Sequence, residues 1–181
     1  MHGMMFCELK RYVDATAGPG AWATVRADAG VDRPHHVATE AYPNAELVVL
    51  VEAASRLTGI TVSLLLEDFG AFVAPGLVTV CAPSIHPEWG ALDLLERTER
   101  HLHRHARLRD PLASPPRLRV HRVSPSEVQI TYASPRRLCH VARGIARGVL
   151  THFRQSGSIS ETSCMHRGDA TCIIVVRTMA A

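Results

Sequence analysis

The sequence predicts an α+β fold in which a helical first part is followed by an antiparallel sheet. Apolar residues recur at helical spacing in the first part, whereas beyond residue 116 they alternate with polar residues at period two. A further amphipathic helix separates two pairs of predicted strands, an order typical of α+β proteins rather than of a parallel sheet. With 181 residues, the chain can bury a core and enclose a cofactor, so we expect a single domain over residues 1–181.

The first two predicted helices lie before residue 60. Each is indicated by apolar residues that stand three and four positions apart. These residues are Phe6, Leu9 and Val13 in the first helix, and Leu47, Leu50, Val51, Ala54 and Leu57 in the second. Gly59 follows the second stripe directly. Because glycine is common just past a helix end, we expect the second helix to stop there.

The next part of the chain predicts a short helix, a long connection and another helix. The short helix runs from Val62 to Phe69, with Thr61 as its N-cap and Gly70 as its end. Prolines and a glycine interrupt the periodicity between residues 74 and 89, which predicts a surface connection. A helix from about Ala91 to Ala106 follows.

The remainder predicts two strand pairs around one helix. Ser124, Pro125 and Ser126 separate two alternating runs and predict the turn of a hairpin. Gly168 and Asp169 predict the turn of the second strand pair. The apolar residues that define these elements are Leu118 and Val120, then Val128, Ile130 and Tyr132, then Leu138, Val141, Ile145 and Val149 of the helix, then Ile159 and Ile173 to Val176.

Composition argues against several classes of protein. The net charge is only +3 and aromatic residues make up 5% of the chain, so the basic, aromatic-interleaved face typical of nucleic-acid binding is not expected. We also expect no apolar run near the ~20 residues that a membrane helix needs, and hence no membrane contact. The stretch from Met1 to Lys10 does not resemble a secretory signal. These observations together predict a cytoplasmic protein.

Three histidines stand close together in His-Leu-His-Arg-His at residues 101–105. In a helix, His103 lies about 20° from Leu92 on the apolar face, whereas His101 and His105 point roughly to the opposite side. A neutral imidazole on a buried face can coordinate a haem iron through Nε2. On periodicity alone, a core histidine bonded to a backbone carbonyl is the stronger interpretation, and a solvent-facing basic patch is a further alternative.

A second candidate site is Tyr-Ala-Ser-Pro-Arg at residues 132–136, at the end of a predicted strand and directly before a helix. Alternation places Tyr132 and Ser134 on one face, and Arg136 can reach round the turn. Two hydroxyl groups and a guanidinium suit a carboxylate, such as a haem propionate that is held inside protein. An ordinary strand end with an exposed arginine is an equally good interpretation of these residues alone.

Together, these motifs resemble those of H-NOX (haem nitric oxide/oxygen binding) domains. Tyr-x-Ser-x-Arg at 132–136 is similar to the propionate-binding motif of that family. The stretch from His103 to Leu118 resembles the family's proximal histidine and the proline-containing segment that follows it. The opening Met1–Met5 also resembles the family's start, so the likeness covers essentially the whole chain.

The resemblance implies an H-NOX fold, in which a helical N-terminal part packs with an antiparallel sheet around a buried haem b. The helical subdomain would span about residues 1–70, and the haem and sheet subdomain about 71–181. His103 would be the ligand of the haem iron. The remaining contacts that the resemblance implies are Tyr132, Ser134 and Arg136 at the propionates, Pro116 pressing on the macrocycle, and Met5 and Val141 in the pocket.

The resemblance implies that the residue at position 141, a valine here, determines which gases bind to the haem. Oxygen-binding members have a distal tyrosine five residues past the motif arginine, and Val141 stands at that position here. Because valine donates no hydrogen bond to a gas, we expect NO and CO to bind and O₂ to bind little. His140 could in principle act as a donor, but its direction on the helix differs from that of Val141 by about 100°.

The five cysteines form an odd set, which argues against a disulfide framework. Cys164 and Cys172 flank the Gly-Asp turn, and Cys139 begins the helix that could pack against it. Three thiolates and one further ligand would form a tetrahedral zinc site, although free thiols or a disulfide together are the stronger interpretation of the spacing alone. Cys7 and Cys81 lie outside this pattern and are expected to be small buried residues.

The three cysteines also resemble those of a proteobacterial H-NOX subgroup that carries zinc on three cysteines and a histidine. Glu161 occupies the position of that histidine here. The resemblance therefore implies zinc as a further cofactor, bound by Cys139, Cys164, Cys172 and Glu161, with His166 as an alternative fourth ligand. Because zinc thiolates can be oxidised, this site could add a redox input.

We therefore expect a sensor and not an enzyme. NO would weaken the bond between the haem iron and His103, so that the helix relaxes and a separate effector protein responds. The resemblance implies a histidine kinase or a cyclic-di-GMP enzyme as that effector. The alternative is a haem-free zinc/thiol redox module. A haem enzyme such as a peroxidase is a third possibility, but the sequence indicates no distal His/Arg pair.

Overall fold

The computed structural model describes residues 1–179, apart from the side chains of His105 and Arg109. Within this part, helices precede a four-stranded antiparallel sheet, which confirms the predicted α+β class. The helices are α1 (Gly3–Ala17), α2 (Ala21–Asp28), α3 (Asn44–Thr58), α4 (Val62–Cys81), α5 (Ala91–Arg97), α6 (Arg104–Arg109) and α7 (Cys139–His152), with a π-helical stretch at Thr98–His103. The strands are β1 (Arg117–Ser124), β2 (Glu127–Ala133), β3 (Gly157–Ser163) and β4 (Cys172–Thr178).

Helices α1 and α3 form where their apolar stripes predict them. Helix α3 ends at Gly59, whose φ of 71° lies in the left-handed region and whose N–H donates to the carbonyl of Ser55. Helix α2 has no counterpart among the predicted helices, because its two buried side chains, Trp22 and Val25, form too short a stripe to stand out.

The predicted end of the third helix at Gly70 is wrong, because α4 continues to Cys81. A Cβ on Gly70 would collide with the carbonyl oxygen of Val141, so this glycine permits close contact with α7 and does not end the helix. The helix also continues through Pro75. The surface connection predicted from residue 74 is therefore wrong up to residue 81.

The expectation that no apolar run approaches the length of a membrane helix is also wrong. By length and composition alone, the helical residues Val62–Ser84 are apolar enough to cross a membrane, with a mean hydropathy of 1.6. In the fold, 39% of their most apolar stretch is buried. The same residues have a packing role. Leu65, Phe69 and Val73 lie in one hydrophobic core and Val78 in another.

Two hydrophobic cores share α4 and α7. The first core is built from α1 to α4 and includes Val141 of α7. The second is built from α5, the sheet and the remainder of α7, including Ala146, Val149 and Leu150. The subdomain boundary predicted near residue 70 falls inside α4, which is continuous between the two cores.

The four strands lie in the order β1-β2-β4-β3, and every neighbouring pair is antiparallel. Both predicted strand pairs therefore form. The register places Tyr132 of β2 between Leu118 of β1 and Cys172 of β4. The end of the Tyr-x-Ser-x-Arg strand thus lies beside one of the three cysteines of interest.

Contact between α4 and α7 depends on glycine. A Cβ on Gly144 would collide with the carbonyl oxygen of Glu67, and one on Gly148 would collide with the side chain of Ala74. Arg147 forms an ion pair with Asp68 at 2.6 Å across the same contact. The two helices are therefore packed backbone to backbone.

We predict that Gly144→Ala lowers the free energy of unfolding by about 1–3 kcal/mol, because the added methyl group meets backbone that cannot rotate away. Gly76→Ala is the matched control, since Gly76 lies in α4 with open space around its Cβ position. This control should be neutral or more stable by up to about 1 kcal/mol, from helix propensity alone. Urea unfolding followed by circular dichroism measures both, and an equal effect of the two changes would contradict the packing argument.

Candidate functional site

His103 lies at the end of the π-helical stretch between α5 and α6. The sequence-based angle of 100° per residue does not apply there, because a π-helix has more residues per turn than an α-helix. His101, predicted on the side opposite His103, is half-buried and also packs against the protein, with its ring edge-on to that of Trp89 and the centroids 5.6 Å apart. The side chain of His105 lies outside the described part of the chain.

The imidazole of His103 is mostly buried, with 18% of its side chain exposed. Its Nδ1 lies 3.0 Å from Oε2 of Glu99, so Nε2 is the nitrogen that remains to bind a metal ion. Burial lowers the pKa of His103, and the carboxylate of Glu99 and the carbonyl of Pro116 offset this shift only in part. The ring is therefore neutral near pH 7, the form that a metal ion requires.

Glu99 joins this helix to the sheet. Besides its contact with His103, the carboxylate accepts a hydrogen bond from the N–H of Leu118 at 3.2 Å and one from Arg107. Burial by itself would raise the pKa of Glu99, but these hydrogen bonds outweigh it and lower the pKa below its usual value. Since Leu118 is paired with Tyr132, Glu99 connects the helix of His103 to the strand that carries the second motif.

Tyr132, Ser134 and Arg136 come together at the end of β2. The buried hydroxyl of Tyr132 accepts a hydrogen bond from the N–H of Leu138 at 3.0 Å, and Ser134 Oγ accepts one from the N–H of Arg136 at 3.3 Å. Burial raises the pKa of Tyr132, so its hydroxyl remains protonated. The guanidinium of Arg136 donates to the carbonyl of Ser114, in the segment that contains Pro116.

Val141 and Met5 belong to the first hydrophobic core or contact it. Val141 is 5% exposed in the first hydrophobic core, and Met5 packs against that core from α1. His140 points elsewhere, since its ring stacks on that of His166 with centroids 5.1 Å apart. A neutral imidazole, two hydroxyls, a guanidinium and an apolar wall are together the donor set that fits a haem and its propionates.

Three cysteines form a buried cluster at the start of α7 and around the β3–β4 turn. Sγ of Cys164 lies 3.9 Å from that of Cys139 and 4.0 Å from that of Cys172. In a tetrahedral site with Zn–S bonds of about 2.3 Å, sulfur atoms lie about 3.8 Å apart. The spacing of the thiols therefore fits a zinc ion. Cys7 and Cys81 lie outside the cluster and are half-buried, not buried as expected.

A carboxylate oxygen of Glu161 completes a group of four donor atoms that all lie within 4.8 Å of one another. The Glu161 side chain is 5% exposed, and among the described residues its Oε1 has no hydrogen-bond partner. Oε2 lies 3.5 Å from Arg167 and 3.9 Å from Arg143. Burial raises the pKa of Cys139 and of Cys172, so a metal ion must displace thiol protons when it binds.

Sequence reasoning missed Glu99, although a signal was present. Glu99 stands four residues before His103, the spacing at which side chains meet on a helix. The hydrogen bond between Glu99 and Leu118, by contrast, joins residues far apart in the chain, and no local pattern indicates it. His2 and Asp110 were missed for the same reason: His2 Nε2 lies 2.6 Å from Asp110 Oδ2.

Solved H-NOX structures have the same fold. An H-NOX protein from S. oneidensis in the Fe(II)NO state is 25% identical, with a TM-score of 0.89, and the match covers 99% of this chain and 100% of that one. The Shewanella oneidensis H-NOX domain in the Fe(II)CO state is 23% identical, with a TM-score of 0.88 and full coverage of both chains. The Fe(II) unliganded H-NOX protein from K. algicida is 18% identical, with a TM-score of 0.87, over 100% of this chain and 98% of that one.

No curated protein is similar enough in sequence to count as a match. The model of the haem-NO-binding family, in contrast, matches residues 2–161, which is most of the chain. Sequence and fold agree, and the chain belongs to the haem-NO-binding family, that of the H-NOX domains.

Proposed function

We propose that this domain is a haem-based gas sensor, not an enzyme, in which His103 binds the iron of haem b and NO and CO bind in preference to O₂. The observation that carries the proposal is the buried, neutral imidazole of His103, whose Nδ1 is held by Glu99. H-NOX domains are haem-binding sensors, and the donor set here has the composition that such a site requires.

Glu99 orients the proposed iron ligand. A metal-binding histidine commonly donates its second N–H to a carboxylate, which fixes the tautomer and makes the other nitrogen a better ligand. Glu99 takes this role for His103, and its hydrogen bond from Leu118 prevents it from turning away. The haem would supply the iron at which a gas binds, and the protein supplies the ligand and its orientation.

Tyr132, Ser134 and Arg136 would bind the propionates. Arg136 donates to a carbonyl in the present structure, and a carboxylate would offer it a stronger, charge-assisted partner. Pro116, in the segment before β1, and Met5 of α1 would contact the haem. The helical part (about 1–70) and the haem and sheet part (about 71–181) would enclose it between them.

Val141 supports the proposed gas selectivity. Its isopropyl group lies in an apolar core and donates no hydrogen bond, which O₂ needs more than NO or CO does. The S. oneidensis relatives were solved with NO and with CO. We infer the same two ligands for this domain.

The proposed signal starts from the helix of His103. That helix is attached to β1 through Glu99 and to α1 through the contact of Asp110 with His2. Loss of the bond between iron and His103 would let the helix shift and change both attachments. A separate effector, such as a histidine kinase or a cyclic-di-GMP enzyme in the cytoplasm, would respond to the altered surface, with no role for nucleic acid or membrane.

The cysteine cluster favours a second candidate function, a zinc/thiol site with a redox response. Four donor atoms lie within 4.8 Å of one another, and Glu161 Oε1 is buried with no hydrogen-bond partner among the residues that the structure describes. A zinc ion on Cys139, Cys164, Cys172 and Glu161 would satisfy that oxygen. In a haem-free protein, this site would itself be the sensing centre.

We predict that His103→Gly changes the absorption spectrum of the unliganded ferrous protein and that added imidazole restores it, because free imidazole can replace the missing ligand. His101→Gly is the control: this neighbouring ring contacts Trp89. Its spectrum should match that of the wild type under argon, CO and NO. An unchanged spectrum in His103→Gly would remove His103 as the iron ligand.

We predict that the wild-type ferrous protein keeps its unliganded spectrum in air, whereas Val141→Tyr shows a new, oxygen-dependent one. The tyrosine hydroxyl would supply the missing hydrogen-bond donor. Val141→Phe has the same ring without the hydroxyl and should behave like the wild type. Stable oxygen binding by the wild type would refute the proposed selectivity.

We predict that the purified protein contains a single zinc ion and that Cys172→Ser loses it, because the change removes one of the three thiolate ligands of the closed site. Cys81→Ser removes a thiol outside the cluster and should retain zinc. Metal analysis and a zinc-chelator competition measure both variants. A wild-type protein free of zinc would contradict the second candidate function, and one with zinc but unable to take up haem would favour the redox module.

A further inference from the structure

Two histidines beside the cysteine cluster form a second group of donor atoms with Cys139. The Sγ of Cys139 and one ring nitrogen each of His140 and His166 all lie within 4.8 Å of one another. Glu161 belongs to the first group and the histidines to the second, so Cys139 is the residue that the two groups share. The zinc site proposed above uses neither histidine.

His166 is held in a single tautomer by a backbone carbonyl. Its Nε2 lies 2.8 Å from the carbonyl oxygen of Arg137, so Nε2 carries the proton and donates it. Nδ1 therefore keeps a free lone pair. A backbone carbonyl on the second nitrogen is a common arrangement for metal-binding histidines. Arg137 presents this carbonyl with a φ of 51°, an unfavourable backbone conformation for arginine, of the kind that clusters at functional sites.

His140 has a buried nitrogen without a partner. Among the described residues, its Nδ1 makes no hydrogen bond, although the atom is shielded from solvent. The ring stacks on that of His166 at an interplanar angle of 24°. Burying an unpaired polar nitrogen costs stability unless a ligand occupies the position. Two imidazoles and a thiol therefore lie close enough together to share one ligand.

We propose that Cys139, His140 and His166 form a second metal position, which binds a soft monovalent ion, Cu(I). A thiolate with two imidazoles is a soft ligand set. Charge favours a monovalent ion, because it adds one positive charge, and not two, at a thiolate that the proposed zinc site shares. Arg143 and Arg167 already place two positive charges against Glu161 at the neighbouring group, and a second divalent ion would add charge without compensation.

The ion can enter from solvent. His166 is exposed on the 3-10 turn Met165–Arg167, whereas Cys139 is fully buried at the start of α7. If zinc has not already displaced the thiol proton of Cys139, this proton leaves to solvent when Cu(I) binds, and no electron is transferred. The inference goes beyond the proposed gas sensing and needs only Cys139 from the proposed zinc site.

The test is an anaerobic Cu(I) titration of the full-length protein with bicinchoninate as competitor, with zinc measured in the same samples. We expect one Cu(I) per chain with zinc retained, and binding at least about tenfold weaker in His140→Gln and in His166→Gln, since loss of even an outer partner of a metal site costs that much. X-ray absorption at the copper edge should show one sulfur and two nitrogen ligands.

His152→Gln is the control, because His152 is an exposed histidine at the last residue of α7. It should bind Cu(I) like the wild type. Since His166 is exposed, His166→Gln keeps the test valid even if His140→Gln does not fold. Equal Cu(I) binding in the histidine variants, three sulfur ligands at the copper, or no Cu(I) binding would each overturn the proposal. If the protein contains no zinc but binds Cu(I) through the two histidines, the proposed zinc site is wrong and the proposed Cu(I) site is supported.

Discussion

The carboxylate of Glu99 connects the elements on which the site depends. It holds His103 Nδ1 at 3.0 Å and the backbone N–H of Leu118 at 3.2 Å, so one group orients the candidate iron ligand and attaches its helix to β1. Burial opposes the charge on this carboxylate, and its hydrogen bonds stabilise it. Because Leu118 is paired with Tyr132, a displacement of His103 would act on the strand that ends in the Tyr-x-Ser-x-Arg motif.

Helices α4 and α7 provide the rigid frame between the two cores. They approach closely at Gly70 and Gly144, where a methyl group would meet the backbone of the other helix. This contact fixes the start of α7, where Val141 enters the first core and Cys139 enters the thiol cluster. The proposed gas selectivity and the proposed metal binding would therefore both depend on the position of the start of α7, through Val141 in the first case and Cys139 in the second.

The thiol cluster has more donor atoms than one zinc ion needs. Glu161 Oε1 and His140 Nδ1 are both buried without a partner in the described part of the chain, and both residues belong to donor groups that contain Cys139. The pairing of Tyr132 with Cys172 places this chemistry next to the proposed propionate site. A metal ion bound there would restrain the start of β4, beside the end of β2 that Arg136 follows.

The sequence by itself determined the α+β class, helices α1, α3 and α7, both strand pairs and the candidate residues His103, Tyr132, Ser134 and Arg136, because periodicity and short motifs are local. Only the tertiary structure decided the length of α4, since a glycine in the sequence can indicate a helix end, whereas Gly70 permits close contact with α7. It also decided the π-helical turn before His103 and the tautomer of His166. These features depend on partners far along the chain, and no local pattern encodes which backbone group will lie opposite.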